Sequence, residues 1–380
     1  MPSPFNASES SAIRSQFPIF EKYVFLNAAS LSPIPKTAHT AINDVAQEVA
    51  LSAYLGYEKW KTRVAQTRKL AGGLIGGGED EVAFIRNTAD GVSLVASGFP
   101  FTEGDEVVIN DLEFPSNVYP WLNLRSKGVT VRIAKSVDGR VTPDMIAREV
   151  TPRTKIVAIS TVQYATGHRA DLSALGQMAR DKGFLLFVDA IQSLGALPMD
   201  VKKYGVDFLS CGGHKWLCAP EGIGVFYCAK ERLDLLRLTR VGWNTVQDAH
   251  NFGNIDFTPK PSAERFEEGT PNLFGIYGLC ESLKTVMSYG VERNEAHIFS
   301  LTSLLADSLR SRGYTIVSPM GEGERSGILI FTAKDKNENA SIVKRLNTAG
   351  ILIMERGAGI RVAPHFFNTA QDIQKLLAEL

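Results

Sequence analysis

Phe184-Leu185-Leu186-Phe187-Val188-Asp189-Ala190-Ile191-Gln192-Ser193, followed by Val206 to Leu209 and by Ser210-Cys211-Gly212-Gly213-His214-Lys215-Trp216, decides how the chain folds. Its apolar runs are short and apolar on both faces, as strands covered on both sides by helices must be. The signature recurs outward from there at Val82 to Ile85, Val107 to Ile109, Val129 to Ile133, Lys155 to Ile159 and Ile223 to Tyr227. Alternation with helical stretches predicts an α/β fold with a mostly parallel seven-stranded sheet in a large domain. One such helix, Asp171 to Lys182, is opened by a capping Asp171 and closed by Gly183.

Beyond about Asn251 the pattern changes to a Pro- and Gly-bearing connection and one long helical stretch, Ile276 through Leu309. Strands follow at Tyr314 to Val317, Ile328 to Thr332, Ile351 to Met354 and Ile360 to Val362, with helices at Ala340 to Thr348 and Thr369 to Leu380. That is the pattern of a second, smaller α+β domain. The expected division is a large domain over 16–255 and a small C-terminal domain over 256–380, joined by residues 1–15.

The 380 residues carry 41 Lys+Arg against 41 Asp+Glu and are 44% hydrophobic. Such a composition excludes a disordered or fibrous chain, and its balance gives no long-range attraction for nucleic acid or an acidic membrane. The expected partner is a small molecule. Cys211, Cys218, Cys228 and Cys280 form no C-x-x-C pair and read as reduced thiols. Met1 to Ser15 lacks a basic n-region and an apolar h-region, so a cytoplasmic location is expected. The histidines show no ligand spacing, so no metal site is expected. Gly72 to Gly78 ends a helical stretch without the G-K-[ST] tail of a phosphate loop and reads as a helix stop.

Four places carry chemistry. Lys215 follows a strand in a glycine-bearing turn, where the crevice of an open α/β sheet lies; the competing reading is a surface lysine. Asp189 places a carboxylate where a buried strand emerges, a costly position unless donors or a cation meet it; this favours a ligand with a positive nitrogen over a plain helix cap. Gln192, three residues on, offers both a donor and an acceptor. Asn87-Thr88 precede the helical pattern from Ala89 to Ser97, and a helix start with free N–H groups suits a phosphate, with simple capping as the alternative. Arg356 and Arg361 flank Gly357-Ala358-Gly359, where guanidinium forks can take a carboxylate or stand solvated.

Taken together, Val188 to Ser193, Gly205 to Leu209, Gly213 to Leu217 and Pro220-Glu221-Gly222-Ile223-Gly224 resemble the class V aminotransferases of the fold-type I pyridoxal phosphate enzymes. The family also holds cysteine desulfurases, kynureninases and isopenicillin N epimerases, and the resemblance covers nearly the whole chain. It implies pyridoxal 5'-phosphate as cofactor, with Lys215 as the Schiff-base lysine, Asp189 on the ring nitrogen and Gln192 on the ring's phenolic oxygen. Thr88, the Ala89 backbone and His214 fall on phosphate contacts. Gly212 stands where many desulfurases have Ser, so one phosphate donor must be replaced. Phe114 matches the aromatic stacked on the ring, a place where desulfurases usually have His. Thr270, in Arg265 to Asn272, matches a residue that reaches the neighbouring subunit's phosphate, implying a homodimer with shared active sites. Tyr164 stands where many relatives carry Asn. Arg361 is the first choice and Arg356 the second for the substrate carboxylate, and Asn27 and Ala28 line the substrate side.

The resemblance implies chemistry at Cα or Cβ of an amino acid, with the freed Lys215 amine as base. The reading favours an aminotransferase. Open alternatives are a C–S or β-elimination lyase, a kynureninase-like hydrolase, an epimerase and a catalytically silent binding module. The last cysteine, Cys280, lies far upstream of Arg356, which counts against a persulfide route through a protein thiol.

Overall fold

The computed structural model describes residues 3–380. A two-residue strand β1 (Val24–Phe25) precedes β2 (Val82–Ile85), β3 (Glu106–Asn110), β4 (Thr130–Ala134), β5 (Thr154–Ser160), β6 (Leu185–Asp189), β7 (Phe208–Gly212) and β8 (Gly224–Cys228). The last seven form one sheet in the order β2-β8-β7-β6-β5-β3-β4. Only β8 runs antiparallel to its neighbours β2 and β7. Successive side chains of a strand point to opposite faces, and both faces are covered here. Val108, Val157, Ile159, Leu186, Val188 and Leu209 enter one core, whereas Val107, Ile109, Ile156, Ala158, Phe187 and Phe208 enter another. Two-sided burial is the physical content of the unbroken apolar runs.

The connections follow their local signals. The helix Leu172–Lys182 is capped by the Asp171 carboxylate, which accepts from Ala174 N–H, and stops at Gly183 with φ +77°. The helix Tyr57–Ile75 ends in Gly76 at φ +70°, so the glycine run there is a stop. The expected single helix from Ile276 to Leu309 is two, Leu273–Met287 and Val291–Ser311. The break is at Gly290, whose φ of +85° a helix cannot hold.

The C-terminal part adds β9 (Thr315–Ile316), β10 (Leu329–Thr332), β11 (Ile351–Leu352), β12 (Met354–Arg356) and β13 (Gly359–Val362). Four of these form an antiparallel sheet in the order β12-β13-β10-β9, while β11 pairs with β1. The expected strand Ile351 to Met354 is thus divided between two sheets. Two segments lie across the expected 16–255 and 256–380 division. Residues 17–29 pack with the C-terminal part: Phe17 and Phe25 meet Phe367, and Val24 pairs with Ile351. Conversely, Ile276, Leu279 and Leu283 of the helix Leu273–Met287 belong to the core under the large sheet. Neither exchange has a signal in sequence order, because both depend on which apolar face finds which partner.

Candidate active site

The carboxyl ends of β6 and β7 carry the centre. Asp189 closes β6 between Ser160 of β5 and Ser210 of β7 and is 1% exposed. Among the described residues its carboxylate receives one hydrogen bond, from Ile191 N–H at 2.9 Å, and pairs with no cation within 4 Å. Burial pushes the carboxyl up to about 7; the Ile191 bond opposes the rise and the Glu113 charge adds to it. A carboxylate in such a place lacks a positive partner.

Lys215 sits in the turn between β7 and β8, which the backbone pins at Gly213 N–H to Ile223 O (2.9 Å), Ala219 N–H to Gly213 O (2.9 Å) and Ser32 N–H to His214 O (2.9 Å). Gly213 is obligatory, since a Cβ there would lie 2.9 Å from Ala219 Cβ and 3.0 Å from Ile223 O. The Lys215 amine is 5.6 Å from the centre of the Phe114 ring and makes no hydrogen bond or ion pair among the described residues. Burial holds it down to about 8, Asp189 opposing and Arg361 and Arg356 reinforcing. Phe114 is met edge-on by Tyr164 at 5.1 Å. His214 is kept below the ordinary histidine range by burial and by the neighbouring Lys215 charge.

Where the sequence predicts a phosphate site, Asn87 caps the helix Thr88–Gly98 by accepting from Asp90 N–H at 3.0 Å. Capping therefore uses Asn87 and leaves the N–H groups of Thr88 and Ala89 without a protein acceptor among the described residues. Thr88 Oγ1 accepts from Gly212 N–H at 3.0 Å and its carbonyl accepts from Ser210 Oγ at 2.9 Å, so the Thr88 hydroxyl hydrogen stays free to donate. The N–H of Gly212 is consumed by Thr88 and cannot replace the missing serine. A Cβ at Gly212 would stand 3.2 Å from His214 Nδ1 and 3.4 Å from Ile191 Cδ1, so those two side chains would have to shift by a few tenths of an ångström to admit it.

Gln192 is buried and doubly held: its Oε1 accepts from Trp216 Nε1 at 3.0 Å and its Nε2 donates to Ala29 O at 3.1 Å. Arg361, on β13, turns away from the core that takes Ile360 and Val362, yet is 2% exposed. It donates to Ser30 Oγ at 2.6 Å and to Asn27 Oδ1 at 3.5 Å, and its Nε has no partner among the described residues. Burial and the nearby Arg356 lower it to about 10, and no carboxylate pairs with it among the described residues. The Asn27 and Ala28 backbone is anchored to Ala363, Ala28 N–H donating to its carbonyl at 3.0 Å.

Two expected residues stand apart. Arg356 is exposed and touches Met354 Sδ at 3.2 Å. Thr270 is exposed and lines a cavity of about 320 Å³ with Phe84, Arg86, Gly222 and Asn272, whose lining includes none of Lys215, Asp189 and Arg361. Sequence reading missed Glu113, which accepts from Asn110 Nδ2 (2.6 Å), Asn117 Nδ2 (2.9 Å), Ser160 N–H (2.7 Å) and Gln163 Nε2 (2.9 Å). The spacing to Asn110 and Asn117 was a visible hint; Ser160 and Gln163 arrive only through the β3–β5 pairing. Ser30 was also missed.

A buried acid without a cation, an amine without a partner and free N–H groups at a helix start fit pyridoxal phosphate. Aminotransferase class-V, as a family, matches residues 24–376. A probable cysteine desulfurase of Methanothermobacter thermautotrophicus is 31% identical over 96% of this chain and 95% of that protein. An uncharacterized aminotransferase of Bacillus subtilis, YcbU, is 28% identical over 97% and 96%. The apo cysteine desulfurase of Thermococcus onnurineus NA1 shares the fold with a TM-score of 0.88 at 24% identity, covering 99% and 98% of the two chains. The cystine C–S lyase C-DES gives 0.89 at 22% identity over 96% and 98%. Fold and site define a fold-type I enzyme dependent on pyridoxal phosphate. The chain belongs to the class V aminotransferase family.

Proposed function

We propose that this enzyme binds an α-amino acid by its carboxylate on Arg361 and works on the bonds at Cα, as an aminotransferase. The observation that carries the reading is Arg361: a guanidinium 2% exposed, with Nε unpartnered and no acid beside it among the described residues. Such a group awaits an anion. Thr88, Ala89 N–H and His214 would hold the cofactor phosphate, Asp189 the ring nitrogen, Gln192 the phenolic oxygen and Phe114 the ring face. Pyridoxal phosphate, when bound, supplies a ring that draws electrons from the bonds at Cα. Lys215 Nζ, held down to about 8, gives up its proton far more readily than an ordinary lysine, and the free-base fraction present near neutral pH would take the Cα proton. Asn27 and Ser30 orient Arg361, and Arg356 adds positive field without touching it.

A second reading, a C–S lyase releasing sulfide directly, is supported by the desulfurase relatives together with the thiols. All four cysteines are buried, and burial pushes those of Cys211, Cys218 and Cys228 far above the ordinary thiol range, against a protein persulfide. The proposal includes a homodimer in which Thr270 serves the other subunit's phosphate and a cytoplasmic location, without nucleic acid or membrane partners. No helix among the described residues is long and apolar enough to cross a membrane. The large and small domains proposed over 16–255 and 256–380 keep their roles, with residues 17–29 and the helix Leu273–Met287 exchanged between them.

The test is an amino-acid screen scoring keto acid, ammonia, sulfide and racemised product separately. Arg361→Ala is expected to raise KM about 10- to 100-fold for whichever substrate emerges, the worth of a lost charged hydrogen bond. An unchanged KM for every amino acid would end the carboxylate assignment. Sulfide without keto-acid exchange would favour the lyase.

A further inference from the structure

Gln192 has an amide whose two ends are chemically opposite, and its usefulness depends on which end is free. An indole N–H can only donate, so the 3.0 Å contact from Trp216 Nε1 requires the Gln192 oxygen at that position. Nε2 then has two hydrogens, one of which goes to Ala29 O at 3.1 Å. One N–H is left uncommitted. Trp216 is itself enclosed: it is 1% exposed, its carbonyl accepts from His365 Nε2 at 2.9 Å and its ring meets the His365 ring edge-on at 5.0 Å. His365 Nδ1 accepts from Phe366 N–H at 2.8 Å, which leaves the proton on Nε2 for the Trp216 carbonyl. Gly327 makes the space, since a Cβ there would lie 2.6 Å from Trp216 Cη2.

We propose that Trp216 is a positioning residue that fixes the Gln192 amide by its oxygen and so makes Gln192 a hydrogen-bond donor to the bound cofactor. The inference rests on the reading that Gln192 meets the ring's phenolic oxygen. Gly327 and His365 come from the C-terminal part of the chain, so the electronic setting of the cofactor is fixed partly from across the molecule.

The test is a pH titration of the visible absorption of the enzyme reconstituted with pyridoxal phosphate. A donor to the phenolic oxygen stabilises its anion, so losing it raises the midpoint. Gln192→Ala and Trp216→Phe are each expected to raise it by about one pH unit, tenfold in proton affinity, and the double variant no further. Gly327→Ala, which displaces the indole without removing it, should shift the midpoint in the same direction and carries the test if Trp216→Phe fails to fold. A merely structural role would lower the melting temperature and leave the midpoint unmoved. A shift in Gln192→Ala with none in Trp216→Phe or Gly327→Ala overturns the proposal about Trp216. No shift in Gln192→Ala overturns the Gln192 reading itself.

Discussion

Glu113 shows how a single side chain organises the centre without touching the proposed reaction. Its carboxylate gathers donors from the end of β3, from the Phe114 loop and from the end of β5, and so binds the Phe114 and Tyr164 loops to one point. Glu113→Ala would strand those donors in a buried place, at a cost of about 3 kcal/mol or more; Glu113→Gln should cost clearly less, as read by urea melts of the two variants. Asp189 gives a pH prediction. Its folded pKa is raised, so the stability it contributes is full below the unfolded value near 4 and is lost as pH rises through about 7. Cofactor-free wild type is therefore expected to lose melting temperature relative to Asp189→Asn between pH 5 and pH 8. A parallel pair of curves would refute the burial argument. Lys215 and Asp189 were legible as residues because each is a costly type at a strand end or glycine turn, whereas Arg361 was singled out through the family resemblance. Their unpartnered state was not, since it depends on what the fold fails to bring near them.

At the level of elements, the sheet was readable because two-sided burial writes itself as uninterrupted apolar runs, and the caps at Asp171 and Gly183 because they are local. Close approaches left no such trace. Gly176 on the helix Leu172–Lys182 faces the carbonyl of Tyr204, and a Cβ there would stand 1.8 Å from it, with backbone on the other side unable to yield. Gly176→Ala is expected to destabilise by about 1–3 kcal/mol. A methyl group added at Gly73, in the helix Tyr57–Ile75, would meet nothing within 4 Å, so Gly73→Ala should stabilise by about 0.5–1 kcal/mol. Chemical denaturation of both variants checks the opposite signs.

For the whole molecule, the N-terminal segment that packs with the C-terminal part puts Asn27 and the neighbouring Ser30 beside Arg361, so the proposed substrate side depends on residues more than 300 positions apart. No local pattern encodes such a contact. The same scale holds the proposed homodimer. Leu51, Tyr54 and Leu55 are each 77% exposed, an apolar cluster suited to a second copy of the chain. Leu55→Asp is expected to shift sedimentation from dimer to monomer and, because Thr270 would then lack its neighbour, to weaken pyridoxal phosphate binding about tenfold or more. Tight cofactor binding by a proven monomer would remove Thr270 from the site.

The proposed covalent bond between Lys215 and the cofactor aldehyde underlies every role assigned to the site in this proposal. Purified protein loaded with pyridoxal phosphate, reduced with borohydride and digested should carry the pyridoxyl mass on the peptide containing Lys215, and Lys215→Ala should carry none. A label on another lysine, or undiminished labelling of the variant, would contradict it.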